Sequence, residues 1–218
     1  MALDISASTY GIGIMTSSER IARIIVKLDH IDPAIWRRVE VPITTSLKGL
    51  HDIIQAVMPF QDYHLFEFNV GGKRYAVPDP EWDFGRETYA ARNVRIGALV
   101  DRAITTFNYT YDFGDDWRHS ITVEAVTDAD PAVEYPRFVD GERRAPPEDV
   151  GGLSGFEEFL NAMAKPRHAQ HREVVAWYGG RFEPDNIGVD TINDRIAKIA
   201  RRRTLGKVGY AKSQNNRH

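Results

Sequence analysis

The order of its segments predicts an α+β fold for this 218-residue chain, with a mainly antiparallel sheet and packed helices, several of them in the C-terminal third. Three observations support this fold class. Segments with the apolar or alternating patterns of strands fill the first two thirds, a Gly-Gly turn joins two of them as a hairpin, and helical stripes gather late. A wound parallel sheet would instead alternate strands and helices throughout the chain.

The first segments predict two strands followed by a helix. Ile21–Leu28 and Ile35–Val41 are apolar and rich in β-branched residues, which favours strands. Ser46 is a suitable N-cap for a helix over Leu47–Met58, whose apolar residues recur at helical spacing. Pro59 marks the end of this helix, because proline interrupts the helical hydrogen bonds.

Four further strands are predicted in the middle of the chain, as two antiparallel pairs. Tyr63–Val70 and Lys73–Val77 flank Gly71-Gly72, a pattern that favours a hairpin. Ala103–Tyr111 and Trp117–Val126 also have strand patterns, so we expect the residues between them to form a tight connection. The polar residues 78–93 are typical of a loop, and residues 96–99 of a short helical turn.

The C-terminal third predicts a long loop followed by three helices. The loop covers residues 128–152 and is rich in proline and acidic residues. Ser154 caps the first helix, with Glu157 at the capping-box position. A second helix covers about Gln170–Tyr178, and Asp190 caps a last helix that reaches Ile199.

Composition excludes several classes of protein. The chain has no cysteine, which excludes disulfides, thiolate metal sites and cysteine nucleophiles and fits a reducing cytosol, so we expect a cytoplasmic protein. No apolar run approaches the roughly 20 residues of a membrane helix, so we expect no membrane partner. We expect a flexible arm over residues 1–19, one α+β domain over residues 20–200, and a flexible basic tail over residues 201–218.

Six stretches, in order along the chain, resemble the plasmid pRiA4b open-reading-frame-three-like family. They are Ile35–Pro42, Leu50–Gln55, His64–Phe68, Tyr111–His119 (YDFGDDWRH), Pro146–Gly152 (PPEDVGG) and Trp177–Asp185 with Ile192-Asn193. The resemblance implies a compact α+β domain associated with mobile elements, without an established chemistry, and some members carry the label TnpR as insertion-element passenger proteins. Members often have cysteines near the positions of Phe138 and Ala145, so any metal site built from them is lost here.

A recombinase is not expected despite that label. A serine recombinase needs an activated nucleophilic serine with clustered arginines, whereas the early serines here lie in the polar segment before residue 20. A tyrosine recombinase needs several arginines and a histidine around a nucleophilic tyrosine, and Arg172 near His168 and His171 does not supply that set. We therefore expect neither a serine nor a tyrosine recombinase.

The segment Tyr109–His119 is the first candidate for a site, because it is too polar for core and too aromatic for an ordinary turn. The structural alternative is a turn in which Gly114 supplies the positive φ and the aspartates bond nearby N–H groups. The ligand-binding candidates, which include two histidines from other elements, are His51, His64, Asp112, Asp115, Trp117 and His119.

Three histidines are predicted to point towards the core from different elements, His51 by helical phase and His64 and His119 by strand phase. Imidazole is costly to bury unless it is hydrogen-bonded or bound to metal. If the three rings meet near Asp112 or Asp115, they form a cluster suited to zinc, iron or manganese. The alternatives are a binding cleft without metal and a separate hydrogen bond for each ring.

Two charged segments have both a structural and a functional interpretation. Glu148-Asp149 either form an acid pair or lead into a helix, whose dipole favours acidic groups at its start, and we favour the second role. Arg195–His218 holds eight Lys or Arg and no Asp or Glu, which indicates either a solvated tail or a nucleic-acid contact. The nucleic-acid candidates are Arg201, Arg202, Arg203 and Lys207.

Together these observations favour a mobile-element binding or accessory module over an enzyme. One alternative is a metal-dependent hydrolase that uses a His/Asp cluster, and another is a nucleic-acid accessory protein that uses the basic tail. The expected partners are a protein or nucleic acid of a mobile element. A divalent metal is the one cofactor that the residues suggest, and the sequence defines no small-molecule ligand.

Overall fold

An eight-stranded sheet organises the part of the chain that this computed structural model describes, which is residues 19–79, 85 and 87–215, with side chains as far as residue 207. The strands are β1 (Arg20–Leu28), β2 (Trp36–Pro42), β3 (Phe66–Val70), β4 (Lys73–Ala76), β5 (Thr88–Ala90), β6 (Thr106–Tyr111), β7 (Trp117–Asp128) and β8 (Arg137–Glu142). Their order across the sheet is β5-β4-β3-β6-β7-β1-β2-β8. Neighbouring strands are antiparallel except for β4 and β5.

Helices accompany the sheet, so the α+β prediction is confirmed. They are α1 (Leu47–Val57), α2 (Ile96–Val100), α3 (Gly152–Ala164), α4 (His171–Tyr178) and α5 (Val189–Asn215). As predicted, Ser46 caps α1, and its side chain accepts the N–H of Gly49. No helix within the described ranges has both the length and the apolar character that crossing a membrane requires.

One face of the sheet is covered and forms the core. Along β1, Ala22, Ile24, Val26 and Leu28 are buried, while Arg23 and Lys27 between them are exposed, as expected of a strand with one covered face. The apolar residues of α1 and the aromatic residues of β3, β6 and β7 belong to the same buried cluster. The core therefore lies between the sheet and the helices.

Two arginines join α1 to its neighbours by donating hydrogen bonds to carbonyl oxygens at and just after its C-terminal end. Arg37 of β2 donates from Nε to the Val57 carbonyl oxygen at 2.9 Å. Arg195 of α5 donates to the carbonyl oxygens of Gln55 and Phe60. Burial lowers the pKa of Arg37 to about 10, and carbonyl oxygens rather than a carboxylate compensate its charge.

The edges of the sheet and the end of the chain differ from the prediction. The stretches predicted as loops contain β5 and β8, which pair with β4 and β2 as edge strands. Beyond Ile199, the last residue of its apolar stripe, the last helix continues to Asn215, so the segment predicted as a flexible tail is helical as far as that residue. Alanine, arginine and leucine in this stretch are good helix formers. The arm predicted over residues 1–19 lies, except for Glu19, outside the described residues.

Candidate functional site

In the tight turn between β6 and β7, the side chain of Asp112 accepts hydrogen bonds from the backbone of the same turn. Asp112 Oδ1 accepts the N–H groups of Gly114 and Asp115 at 2.9 and 3.3 Å. Asp112 and Asp116 adopt the left-handed backbone conformation, each with a φ of 55°. The sequence had predicted the positive φ at Gly114 instead. Trp117, directly after the turn, is buried and pairs with Tyr111 across the ladder, which confirms the predicted connection.

The loop before α3 packs against this turn at a point where a glycine is required. Gly152 has a φ of 68°, and a Cβ atom at this position would lie 2.8 Å from the Asp115 carbonyl oxygen. The Gly151 N–H donates to Asp115 Oδ2 at 3.2 Å. These contacts bring Glu148 and Asp149 to the β6–β7 turn, although some 30 residues separate the two segments in sequence.

Here His64 meets three carboxylates. Its Nε2 atom lies 2.9 Å from Asp149 Oδ1, 3.5 Å from Asp112 Oδ2 and 3.7 Å from Glu148 Oε1. The Asp112 and Glu148 side chains are nearly buried, whereas His64 is one-third exposed and Asp149 is mostly exposed. We call these four residues the His64 cluster.

Tyr111 holds Glu148 in place from inside the core. Its hydroxyl donates to Glu148 Oε1 at 2.6 Å, and the Gln61 N–H donates to the other oxygen at 2.8 Å. Burial and the Glu148 carboxylate raise the pKa of Tyr111 well above its usual value. The tyrosine therefore remains a hydrogen-bond donor to Glu148 at neutral pH and fixes the carboxylate 3.7 Å from His64.

His51 does not belong to this cluster, although it is buried as its helical phase predicted. Burial, and to a lesser extent the charge of Lys48, lower its pKa to about 4, so the ring is neutral. The Tyr109 hydroxyl lies 2.8 Å from Nδ1, and Asp62 Oδ1 lies 2.8 Å from Nε2. The ring also stacks on Phe66 at 3.7 Å between centroids. Both nitrogens are satisfied, which indicates a structural role.

His119 is buried in a third place. Its Nδ1 atom donates to the Trp117 carbonyl oxygen at 3.1 Å, and burial lowers its pKa to about 4. Its Nε2 atom forms no hydrogen bond with any described residue. The hypothesis of one metal centre shared by three histidines is therefore wrong, because periodicity specified the face on which each ring lies but not its neighbours.

Two groups of potential metal ligands occur among the described residues, each with one histidine. In both groups the ligand atoms lie within 4.8 Å of one another. In the group of His51, Asp52 and Asp62, Lys48 Nζ already lies 2.6 Å from Asp52 Oδ1 and supplies a positive charge. The group of His64, Asp112 and Glu148 contains no such lysine, so it is the stronger candidate.

Open grooves lie on two sides of the His64 cluster. Glu148 and Asp149 border a groove of about 510 Å³ that continues to Arg144 and the half-exposed Trp177. His64 borders a second groove of about 290 Å³, whose exposed apolar residues are Leu65, Val77 and Phe113. A ligand bound at the cluster would therefore be accessible from solvent.

Among the predicted candidates, the structure brings together His64 and Asp112 but not His51, His119 or Asp115, whose Oδ2 accepts the Gly151 N–H. Glu148 and Asp149 had been interpreted as a helix start, yet neither caps α3 and both face His64. The proline-rich motif that contains them was the feature of the sequence that could have identified them as site residues. The sequence did not show that they lie close to His64.

The basic candidates lie on the second half of α5. Arg201 and Arg202 are exposed, and Arg202 Nε donates to the carbonyl oxygen of Lys198 in the preceding turn. Arg203 and Lys207 both form ion pairs with Glu19, Lys207 at 2.6 Å. This end of the helix is therefore attached to the start of β1.

The fold and site define an α+β protein with a long antiparallel sheet and a His/carboxylate cluster at one end of it. A family model described as Plasmid pRiA4b ORF-3-like protein matches residues 20–191, and the chain belongs to this family. It is 39% identical over 194 residues to the uncharacterized protein y4hQ of Sinorhizobium fredii, covering 84% of this chain and 98% of that relative. A crystal structure of the protein of unknown function MM3350 from Methanosarcina mazei Go1 is 30% identical with a TM-score of 0.72, covering 80% of this chain and 98% of that one.

Proposed function

We propose that this chain is a binding module associated with mobile elements and that the His64 cluster is its site for a divalent cation. The observation that carries this proposal is the local charge. Within the described chain, no Lys or Arg forms an ion pair with Asp112, Glu148 or Asp149, and the one basic side chain paired with them is His64. Carboxylate oxygens and an imidazole nitrogen are the ligand types that divalent cations use in proteins, and here they lie side by side.

The geometry fits one ion among His64, Asp112 and Glu148, whose ligand atoms lie within 4.8 Å of one another. Two ligands that each lie about 2.0–2.1 Å from a zinc ion are about 3.3 Å apart in a tetrahedral site. The distances of 3.5 and 3.7 Å from His64 Nε2 to the Asp112 and Glu148 oxygens are close to that value. One imidazole with carboxylates suits Mn²⁺ or Zn²⁺. A metal on Nε2 would take the place of the hydrogen bond between His64 and Asp149 Oδ1.

The association with mobile elements rests on the family. The description of the family names a plasmid reading frame, which supports a place for this chain on mobile DNA. The relatives reported above are described as uncharacterized or of unknown function, so they assign no reaction. A binding or accessory role that needs no catalysis is consistent with both facts.

A second candidate function is a metal-dependent hydrolase, and the groove of about 510 Å³ beside Glu148 and Asp149 favours it. A cation at the cluster would face this groove, and a water on the cation would become acidic enough to act as a nucleophile near neutral pH. With Mn²⁺ added, hydrolysis of bis(p-nitrophenyl) phosphate that disappears in Glu148→Gln would support the hydrolase. Binding without turnover would support the binding module.

Calorimetric titration of the full chain with MnCl₂ and ZnCl₂ tests the cation site. We expect one ion per chain, with affinity reduced by about tenfold or more in His64→Ala and in Glu148→Gln. Asp52→Asn is the matched control, since it removes an acidic residue from the other ligand group. The absence of binding to the wild type, or an equal loss of affinity in Asp52→Asn, would contradict the proposal.

A further inference from the structure

A groove of about 400 Å³ lies between the start of α1 and the second half of α5. Three cationic residues line it, Arg95 from the turn before α2 and Arg203 and Lys207 from α5. Thr44, Thr45 and Ser46 line it as well, and the first turn of α1 contains no acidic residue. The groove is therefore positively charged and rich in hydroxyl groups.

The described residues place one carboxylate against these cations. Glu19 receives Arg203 Nη2 on one oxygen and Lys207 Nζ on the other. The guanidinium of Arg95 donates to the carbonyl oxygen of Thr44, which carries no net charge. Three positive charges against one negative charge leave the groove with a local excess of positive charge.

The titration of the two α5 residues agrees with this excess. Burial lowers the pKa of Arg203. Burial also lowers the pKa of Lys207, and the neighbouring charge of Arg203 lowers it further. Each group would thus gain from an added anion, because a nearby negative charge favours the protonated form of a base.

The surface around the groove indicates a polymer rather than a single small anion. From Arg195 to Lys207 the helix carries six Lys or Arg and no Asp or Glu. Arg201 and Arg202 are exposed outside the groove on the same half of the helix. Arg203 and Lys207 are four residues apart, so they lie on the same side of α5, about 6 Å apart along its axis. Phosphates of one DNA strand recur about every 3.4 Å along the duplex axis. Two or three consecutive phosphates could therefore contact the groove side of α5.

We propose that the groove lined by Arg95, Arg203 and Lys207, together with the adjacent surface of α5, binds the phosphate backbone of a nucleic acid. The contacts are charge pairs and hydrogen bonds to phosphate oxygens, so binding is independent of base sequence. Glu19 pairs with Arg203 and Lys207 in the free protein and is displaced when a phosphate enters. This site is separate from the His64 cluster, and the failure of either proposal leaves the other intact.

The test measures binding of a fluorescent duplex DNA of about 20 base pairs to the full chain by anisotropy at several salt concentrations between about 50 and 200 mM. We expect the double variant Arg203→Gln, Lys207→Gln to bind more weakly and to flatten the slope of log K against log salt by about two. The matched control is Lys165→Gln, Arg167→Gln, which removes the same charge from exposed positions after α3. Equal losses in the two double variants would overturn the proposal.

Two further variants decide the outcome if the groove variant does not fold. Glu19→Gln removes the competing carboxylate, so we expect DNA to bind at least about threefold more tightly at low salt. Unchanged or weaker binding by Glu19→Gln would contradict the proposed displacement. Arg201→Gln, Arg202→Gln should weaken DNA binding without changing the binding of inorganic phosphate. An equal effect on both would identify a small-anion site instead of a nucleic-acid surface.

Discussion

His119 provides a direct test of the core through the dependence of stability on pH. The ring is fully buried, it touches no carboxylate, and burial lowers its pKa from 6.5 to about 4. Between these two values the unfolded chain binds a proton that the folded chain excludes. Its contribution to stability is therefore complete above about pH 6.5 and is lost as the pH falls towards about 4.

The expected magnitude follows from that interval. Each pKa unit between the folded and unfolded states corresponds to about 1.4 kcal/mol, so His119 accounts for a loss on the order of 3 kcal/mol between neutral pH and about pH 4. His51 contributes in the same direction, because its pKa is lowered as well. Glu40 and Glu124 have arginine partners and lowered pKa values. Their contribution to the free energy of unfolding is therefore lost at the acid end of this range.

Urea unfolding of the wild type and of His119→Gln at several pH values between about 4 and 7 isolates this histidine. The variant is expected to lose less stability on acidification, by up to about 1.4 kcal/mol per pH unit within the interval. His51, Glu40 and Glu124 act equally in both proteins and cancel. His30→Asn is the matched control, since it removes an exposed histidine from a left-handed position that asparagine tolerates.

If the free energy of unfolding depended on pH equally in the wild type and in His119→Gln, the inference that His119 is neutral and shielded from water in the folded protein would be refuted. If the variant does not fold, the imidazole proton resonances of the wild type decide the question. A resonance of His119 that titrates above about pH 6 would mean that water or an acidic group reaches the ring.

Three further predictions concern packing and the chain end, and each is checked by the free energy of unfolding in urea. Trp117→Ala should destabilise the protein by about 3–5 kcal/mol, because the indole is buried and packs edge to face on Phe156; a loss below about 1 kcal/mol would contradict a core position. Gly152→Ala should cost about 1–3 kcal/mol more than the control Gly179→Ala, since both glycines have positive φ but only Gly152 would press a Cβ atom on Asp115. Ending the chain after Arg203 should cost less than about 1 kcal/mol, because it removes one partly exposed ion pair to Glu19, and a cooperative loss of folding would contradict this.

Local patterns were sufficient to predict elements whose own residues supply the signal. The apolar stripe of Leu47–Val57 and its Ser46 cap predicted α1 at nearly its observed bounds. Gly71 and Gly72 both adopt positive φ in the β3–β4 hairpin, as that turn requires. In these segments the side-chain period and the turn chemistry are properties of consecutive residues, so no distant contact is needed to identify them.

Edge elements could not be identified in that way. The strand β8 contains Gly141 and charged residues with little alternation, and it is a strand because its backbone completes the ladder of β2. Gly141 also faces a side chain that the sequence places far away, since a Cβ atom there would lie 2.8 Å from Arg37 Cδ. The continuation of α5 was missed because Gly206 and polar residues interrupt the apolar pattern.

By itself, the sequence determined the fold class from the order of its segments and the family from its motifs. It also determined the burial of His51 and His119, because periodicity defines the face on which a side chain lies. The tertiary structure alone decided which groups meet. His64 contacts Glu148 and Asp149 across more than 80 residues, and the loop that carries these acids reaches it through Gly152. Likewise, Arg203 meets Glu19 from the other end of the described chain. Such contacts depend on how the loops and helices close around the sheet, and no spacing along the chain encodes that closure.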